Sequence, residues 1–139
     1  MPNVFISYVH ENAALVDKLA DELRAHGITV WLDRDKIMPG QFWQDAIRQA
    51  IREGDYFIAC FSAEYDARPR TYMHTEIGLA IEILQQMPTN RIWFIPVLLS
   101  ECEVPDRSIG GGQTLRDLHW ESLYKDWARG CLLYTSRCV

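Results

Sequence analysis

Apolar and polar residues recur in two periods along this chain of 139 residues, and the changes from one to the other mark the elements. VFIS, within residues 1–7, is a short apolar run bounded by turn-like residues and predicts a first strand buried on both faces. In residues 11–26, Leu15, Leu19 and Leu23 with Val16 and Ala20 make one helical face, and Gly27 stands where a helix ends. ITVWLD at 28–33 predicts a second strand, and DRDKIMPGQ a polar loop with a Pro39–Gly40 turn. A second helix is expected over residues 42–53, with Phe42, Ala46, Ile47, Ala50 and Ile51 inward and Gly54 ending it. YFIACF at 56–61 is a third strand, residues 71–87 a third helix, and RIWFIPVLL at 91–99 a fourth strand. Pro96 interrupts that strand, and proline belongs on edges and bulges. A loop rich in Pro, Gly and acidic residues leads to LHWESLY, a short fifth strand.

Strands alternate with helices throughout, which predicts a mostly parallel sheet with helices on both faces. Residues 1–127 therefore read as one doubly wound α/β domain. Residues 128–139 differ: GCLLYTSRCV shows no helical stripe and holds Cys131 and Cys138, so this tail is expected to be truncated or non-native.

One residue does not fit its helix. Met73, Ile77, Ala80, Ile81 and Leu84 form the apolar stripe of residues 71–87, while Thr75, Glu82 and Gln85 take the far side. Glu76 does neither: at about 100° per residue it falls only about 40° outside the stripe. Tyr72 stands one turn before it on the same side.

Bulk composition narrows the function classes. A net charge of −5 argues against nucleic acid or an anionic membrane as the main partner. No secretory signal or membrane-length apolar run is evident. Cys60, Cys102, Cys131 and Cys138 include no C-x-x-C pair and no histidine at ligand spacing, so no zinc site is expected. A reducing, cytoplasmic setting is the simplest reading.

Ligands of open parallel sheets bind beyond the carboxyl ends of the strands, where strand order reverses. For the order 2-1-3-4-5 that point lies between strands 1 and 3. The residues leaving strand 1 are Ser7, Tyr8, Val9 and His10, and those leaving strand 3 are Phe61, Ser62, Ala63, Glu64 and Tyr65. The helix of Tyr72 and Glu76 follows strand 3. SYVHEN lacks the glycines of a phosphate cradle, and strand 3 ends in Phe61–Ser62 rather than the aspartate of a phospho-receiver. No G-x-S-x-G elbow is present. Trp43 and Trp93 are read as core, His10 as structural or idle, His74 as exposed, and the glycines at 110–112 as a flexible loop.

VFISY, WLDRDKIMPGQFWQDAIRQAI, YFIACFSAEY, YMHTEIGLAIE, FIPVLLSECEVP and HWESLY, in this order, resemble a bacterial Toll/interleukin receptor (TIR) domain over residues 3–127. The resemblance implies a flavodoxin-like sheet of five mainly parallel strands, order 2-1-3-4-5, with helices on both faces. It also implies one of two activities. Many TIR domains self-associate as scaffolds; others hydrolyse NAD⁺ at the nicotinamide–ribose bond with a glutamate after strand 3. Tyr72 and Glu76 match the family's Y-x-x-x-E pattern, so Glu76 is the implied catalytic residue. Arg34, Asp35, Pro39 and Gly40 match its BB loop, here Asp33 to Gly40, which mediates contacts between TIR domains. Pro96 recurs in the I-P-V strands of bacterial relatives.

Cleavage at a cationic nicotinamide needs little leaving-group help, and a carboxylate serves by stabilising the oxocarbenium-like ribose. Glu76 is expected to be ionised at neutral pH. Tyr8, Phe61 or Trp43 are candidates to stack on a ring of the substrate, Arg34 and Lys36 to meet the pyrophosphate, and Ser7, Ser62 and Tyr72 to complete the substrate site. NAD⁺ is thus expected as substrate rather than cofactor, and no metal is expected. Other TIR domains are the expected partners, in a homo-oligomer formed on activation. Two rival readings remain: a non-catalytic interaction module, and a nucleoside deoxyribosyltransferase-like enzyme that accepts free nucleosides. As a purely structural residue, Glu76 would cap a helix face beside Arg70.

Overall fold

A computed structural model describes residues 3–32, 42–68, 72–88 and 92–127, without the side chains of Trp43, Gln44 and Tyr72. The strands are β1 (Asn3–Ser7), β2 (Thr29–Leu32), β3 (Tyr56–Phe61), β4 (Phe94–Leu98), β5 (Ser108–Gly110), β6 (Gln113–Thr114) and β7 (Glu121–Ser122). The helices are α1 (Ala13–Ala25), α2 (Trp43–Glu53), a single turn α3 (Ala63–Asp66) and α4 (Tyr72–Leu84). Five strands form one sheet in the order β2-β1-β3-β4-β7, with every neighbouring pair parallel. This is the expected flavodoxin-like arrangement, β7 being the fifth strand of the sheet.

The period of two along each strand sorts side chains into two layers. Val4 and Ile6 of β1 and Ile58 and Cys60 of β3 pack under α1, whose Val16, Leu19, Ala20 and Leu23 are buried. Phe5, Phe57, Ala59 and Phe61 face the other way, toward Ile47 and Ile51 of α2 and Met73, Ile77 and Ala80 of α4. Within this second layer an aromatic row crosses the sheet. Phe5 stacks on Trp31 at 4.9 Å and on Phe57 at 5.5 Å, and Phe57 stacks on Trp93 at 5.7 Å. Each such pair contributes roughly 0.5–1.5 kcal/mol beyond its burial. Trp93 is core, as read, and its indole N–H donates to the Gly54 carbonyl at 3.0 Å.

Pro96 sits inside β4 without cost to the ladder. The Leu99 N–H donates to Phe61 O, while Leu98 O accepts from the Leu123 N–H, so odd residues of β4 face β3 and even ones face β7. The Pro96 nitrogen therefore points to the β7 side, and β7 pairs only with Val97 and Leu98. Gly27 ends α1 as expected, with φ at +83°. Its N–H donates to Arg24 O and that of Ile28 to Leu23 O, the two bonds of a Schellman cap.

Several expectations fail locally. Leu15 is 40% exposed, because it lies about 90° from the middle of the face set by Val16, Leu19, Ala20 and Leu23. Phe42 is 84% exposed: it precedes the first helical residue in extended conformation, so helical spacing does not govern it. Leu79 and Ile83 are buried beyond the expected stripe of α4, which packs over a wider arc. The glycines at 110–112 join two short paired strands. Their φ values of 94°, 63° and 77° close the β5–β6 hairpin, a conformation side chains with a Cβ resist. The loop at 33–41 and the tail at 128–139 lie outside the described residues.

Candidate functional site

The strand order reverses between β1 and β3, with β2 on one side of β1 and β3 on the other. At and beyond the carboxyl ends of these two strands lie four buried polar residues: Ser7, Asn12, Ser62 and Glu76. They form two pairs. Ser7 Oγ donates to Glu76 Oε1 at 2.6 Å, and Ser62 Oγ donates to Asn12 Oδ1 at 2.6 Å.

Parity explains the first pair. Ser7 has the parity of Phe5, so it faces the layer that α4 covers, next to Ala59 of β3 in register. Glu76 is flanked on its helix by Met73 and Ala80, 1% and 0% exposed, and is itself 1% exposed. The border residue of the sequence pattern is thus fully inside. A carboxyl buried this deeply is costly unless hydrogen-bonded, and the 2.6 Å contact with Ser7 supplies such a bond.

The second pair frames the crevice. Ser62 also accepts the Tyr65 N–H at 3.1 Å, capping α3, and Ser100 Oγ accepts the Ala63 N–H at 2.9 Å. The ends of β1, β3 and β4 are tied together by these bonds. Asn12 is the residue that sequence reasoning missed. It stands at the N-cap of α1 but makes no side-chain bond to that helix, its amide oxygen serving Ser62 instead. An asparagine before a helix signals a cap, and nothing local distinguishes this long-range use.

The remaining candidates separate. Tyr8 lies in the α1 layer, on the opposite face of the sheet from Ser7, at 7% exposure. Phe61 is 0% exposed and meets Tyr65 edge-on at 5.3 Å, so no face of its ring is open to a ligand. Tyr72 opens α4, one turn before Glu76, and its side chain is outside the description. Asp33, Arg34, Asp35, Lys36, Pro39 and Gly40 are outside the described residues, as is Arg70. His74 is not exposed as expected. It is half-buried, stacked on Tyr65 at 4.8 Å, with its carbonyl accepting from Arg107 Nη1 at 3.2 Å. These residues belong to an open cleft of about 570 Å³ bounded by Asp66, Arg68, Glu103 and Arg116, none of them from the two buried pairs.

Burial pushes the Cys60 thiol far up and raises Cys102 to about 11, with Asp66 and Glu64 adding to the latter. Neither is a nucleophile at neutral pH. Among the described residues no cluster could hold a metal ion, and no helix is long and apolar enough to cross a membrane.

A family model described as the TIR domain matches residues 4–131. No curated protein matches the chain. Among solved structures, the chain is similar to the TIR domain of the Toll-related receptor TRR-2 from Hydra magnipapillata. That likeness has 20% identity, covers 96% of this chain and 94% of the other, and gives a TM-score of 0.72. A metazoan TIR-STING receptor from C. gigas is 20% identical, covering 98% of this chain and 40% of its own, at a TM-score of 0.66. The CMP N-glycosidase BcmB of Clostridium botulinum is 22% identical, covering 95% of this chain and 99% of its own, at 0.61. At such identities these likenesses speak for the fold. The family match spans nearly the whole chain, and the chain belongs to the TIR domain family.

Proposed function

We propose that this TIR domain signalling module hydrolyses NAD⁺ at the nicotinamide–ribose bond, with Glu76 as the catalytic carboxylate, and that self-assembly activates it. The observation that carries the reading is a glutamate held at the switch-point crevice by a buried hydroxyl, where an ordinary helix would carry an apolar residue. The fold it shares with a CMP N-glycosidase supports N-glycosidic chemistry as the class.

The leaving nicotinamide departs neutral, so the protein's task is to meet the positive charge that grows on the ribose. A carboxylate preorganised in a water-poor site does this at little reorganisation cost. From the sequence, Arg34 and Lys36 are the residues proposed for the pyrophosphate, and Tyr72 is proposed for the substrate site. At 1% exposure Glu76 reaches no substrate in the resting state, which suits an enzyme switched on by assembly. The test is nicotinamide release from NAD⁺ with and without a crowding agent, for wild type and Glu76→Ala. Release by the wild type and a loss of about 10²- to 10⁴-fold in the folded variant are expected. No release at any protein concentration sinks the reading. CMP and free nucleosides in the same assay separate it from the glycosidase and deoxyribosyltransferase alternatives.

A second reading, a non-catalytic module that recruits other TIR domains, is favoured by Phe42. This large apolar residue is 84% exposed directly after the loop at 33–41. In either reading, Pro39→Ala with Gly40→Ala reduces oligomerisation; unchanged sedimentation counts against assembly through that loop.

A further inference from the structure

We infer that Ser7 is a positioning residue for Glu76, its hydroxyl fixing one carboxylate oxygen in a single orientation. This rests on the proposed role of Glu76. Four observations converge on it. The Oγ–Oε1 separation is 2.6 Å, at the short end for hydroxyl donors. Both residues are sealed, Ser7 at 0% and Glu76 at 1% exposure, so water does not compete for the bond. Ser7 ends β1, paired to β3 through Ala59, so its backbone is held by the sheet rather than by a loop. Its neighbours on that face, Phe5 and Ala59, are apolar, which leaves Ser7 as a polar interruption in a layer that packing alone would fill with carbon.

A hydroxyl that donates to a carboxylate favours the charged form, opposing the burial that favours the neutral one. It also removes rotational freedom from the acid, and misplacement of a reacting group by about 1 Å costs up to about 10²-fold in rate. Ser7 does this without touching substrate.

The test compares Ser7→Ala and Ser7→Thr with wild type, reading kcat and KM for nicotinamide release across pH, with a 13C-detected titration of the Glu76 carboxyl. Ser7→Ala is expected to lower kcat by about 10- to 100-fold with KM little changed. Its acid limb moves to higher pH, and Ser7→Thr recovers most of the rate. A role confined to packing would lower thermal stability and leave the pH profile in place, and that result overturns the inference. So does a kcat at or above wild type in Ser7→Ala. Should the wild type release no nicotinamide, the NAD⁺ reading fails on its own. The titration then decides the contact: a Glu76 midpoint that rises in Ser7→Ala upholds it, and an unmoved one overturns it.

Discussion

At the scale of single residues, the site is built from groups whose neighbours are distant in sequence. Glu76 stood out because its angle on the helix placed it beside the apolar stripe. Its separation of 69 positions from Ser7 hid its partner. Ser62 carries a double duty of the same kind, donating to Asn12 and accepting from Tyr65. Ser62→Ala leaves two buried groups without that partner, and urea denaturation should show a loss of about 1–3 kcal/mol. Cys102 offers a second check. With its thiol raised to about 11, the thiolate is about one part in a thousand at pH 8. Alkylation at Cys102, followed by peptide mass mapping, should quicken about tenfold per pH unit through pH 9. Cys60, buried in the α1 layer, should stay unmodified until the protein unfolds.

At the scale of elements, helix and strand identities followed from period, and their ends from special residues. Gly27 was legible as a helix stop, and its φ of +83° with both Schellman bonds gives the physical reason. A Cβ there meets nothing within 4 Å, so Gly27→Ala suffers backbone strain alone. The cost should be about 1 kcal/mol, read as a lower urea midpoint at unchanged slope. Leu15 and Phe42 show the limit of the pattern. Spacing says which residues share a face, and the partner decides how wide a face is covered. The β5–β6 hairpin escaped notice because its strands have three and two residues, too short to display a period.

At the scale of the whole molecule, two layers of unequal make-up enclose one parallel sheet. The α2/α4 layer holds the aromatic row under the strand starts and the Ser7–Glu76 pair beyond the strand ends. Packing thus gathers the aromatic rings at one end of the sheet and a buried polar pair at the other. Assembly belongs to this scale as well. If contacts between copies activate the enzyme, nicotinamide release per milligram should climb with protein concentration, in step with a larger sedimentation coefficient. A specific activity that is flat across a hundredfold range of concentration would remove self-assembly from the proposal. A net charge of −5 predicts weak retention on anionic vesicles at physiological salt, measurable by flotation.

The sequence by itself determined the alternation of strands and helices, the parallel sheet and the point where its strand order reverses. Each of these follows from local periods and from the handedness of strand–helix–strand units. Only the tertiary structure decided that Ser7 and Tyr8 part to opposite faces, that Phe61 is sealed, and that Glu76 is buried against Ser7. Those outcomes depend on which strands become neighbours and in what register, and no local period encodes the meeting of residues 69 positions apart.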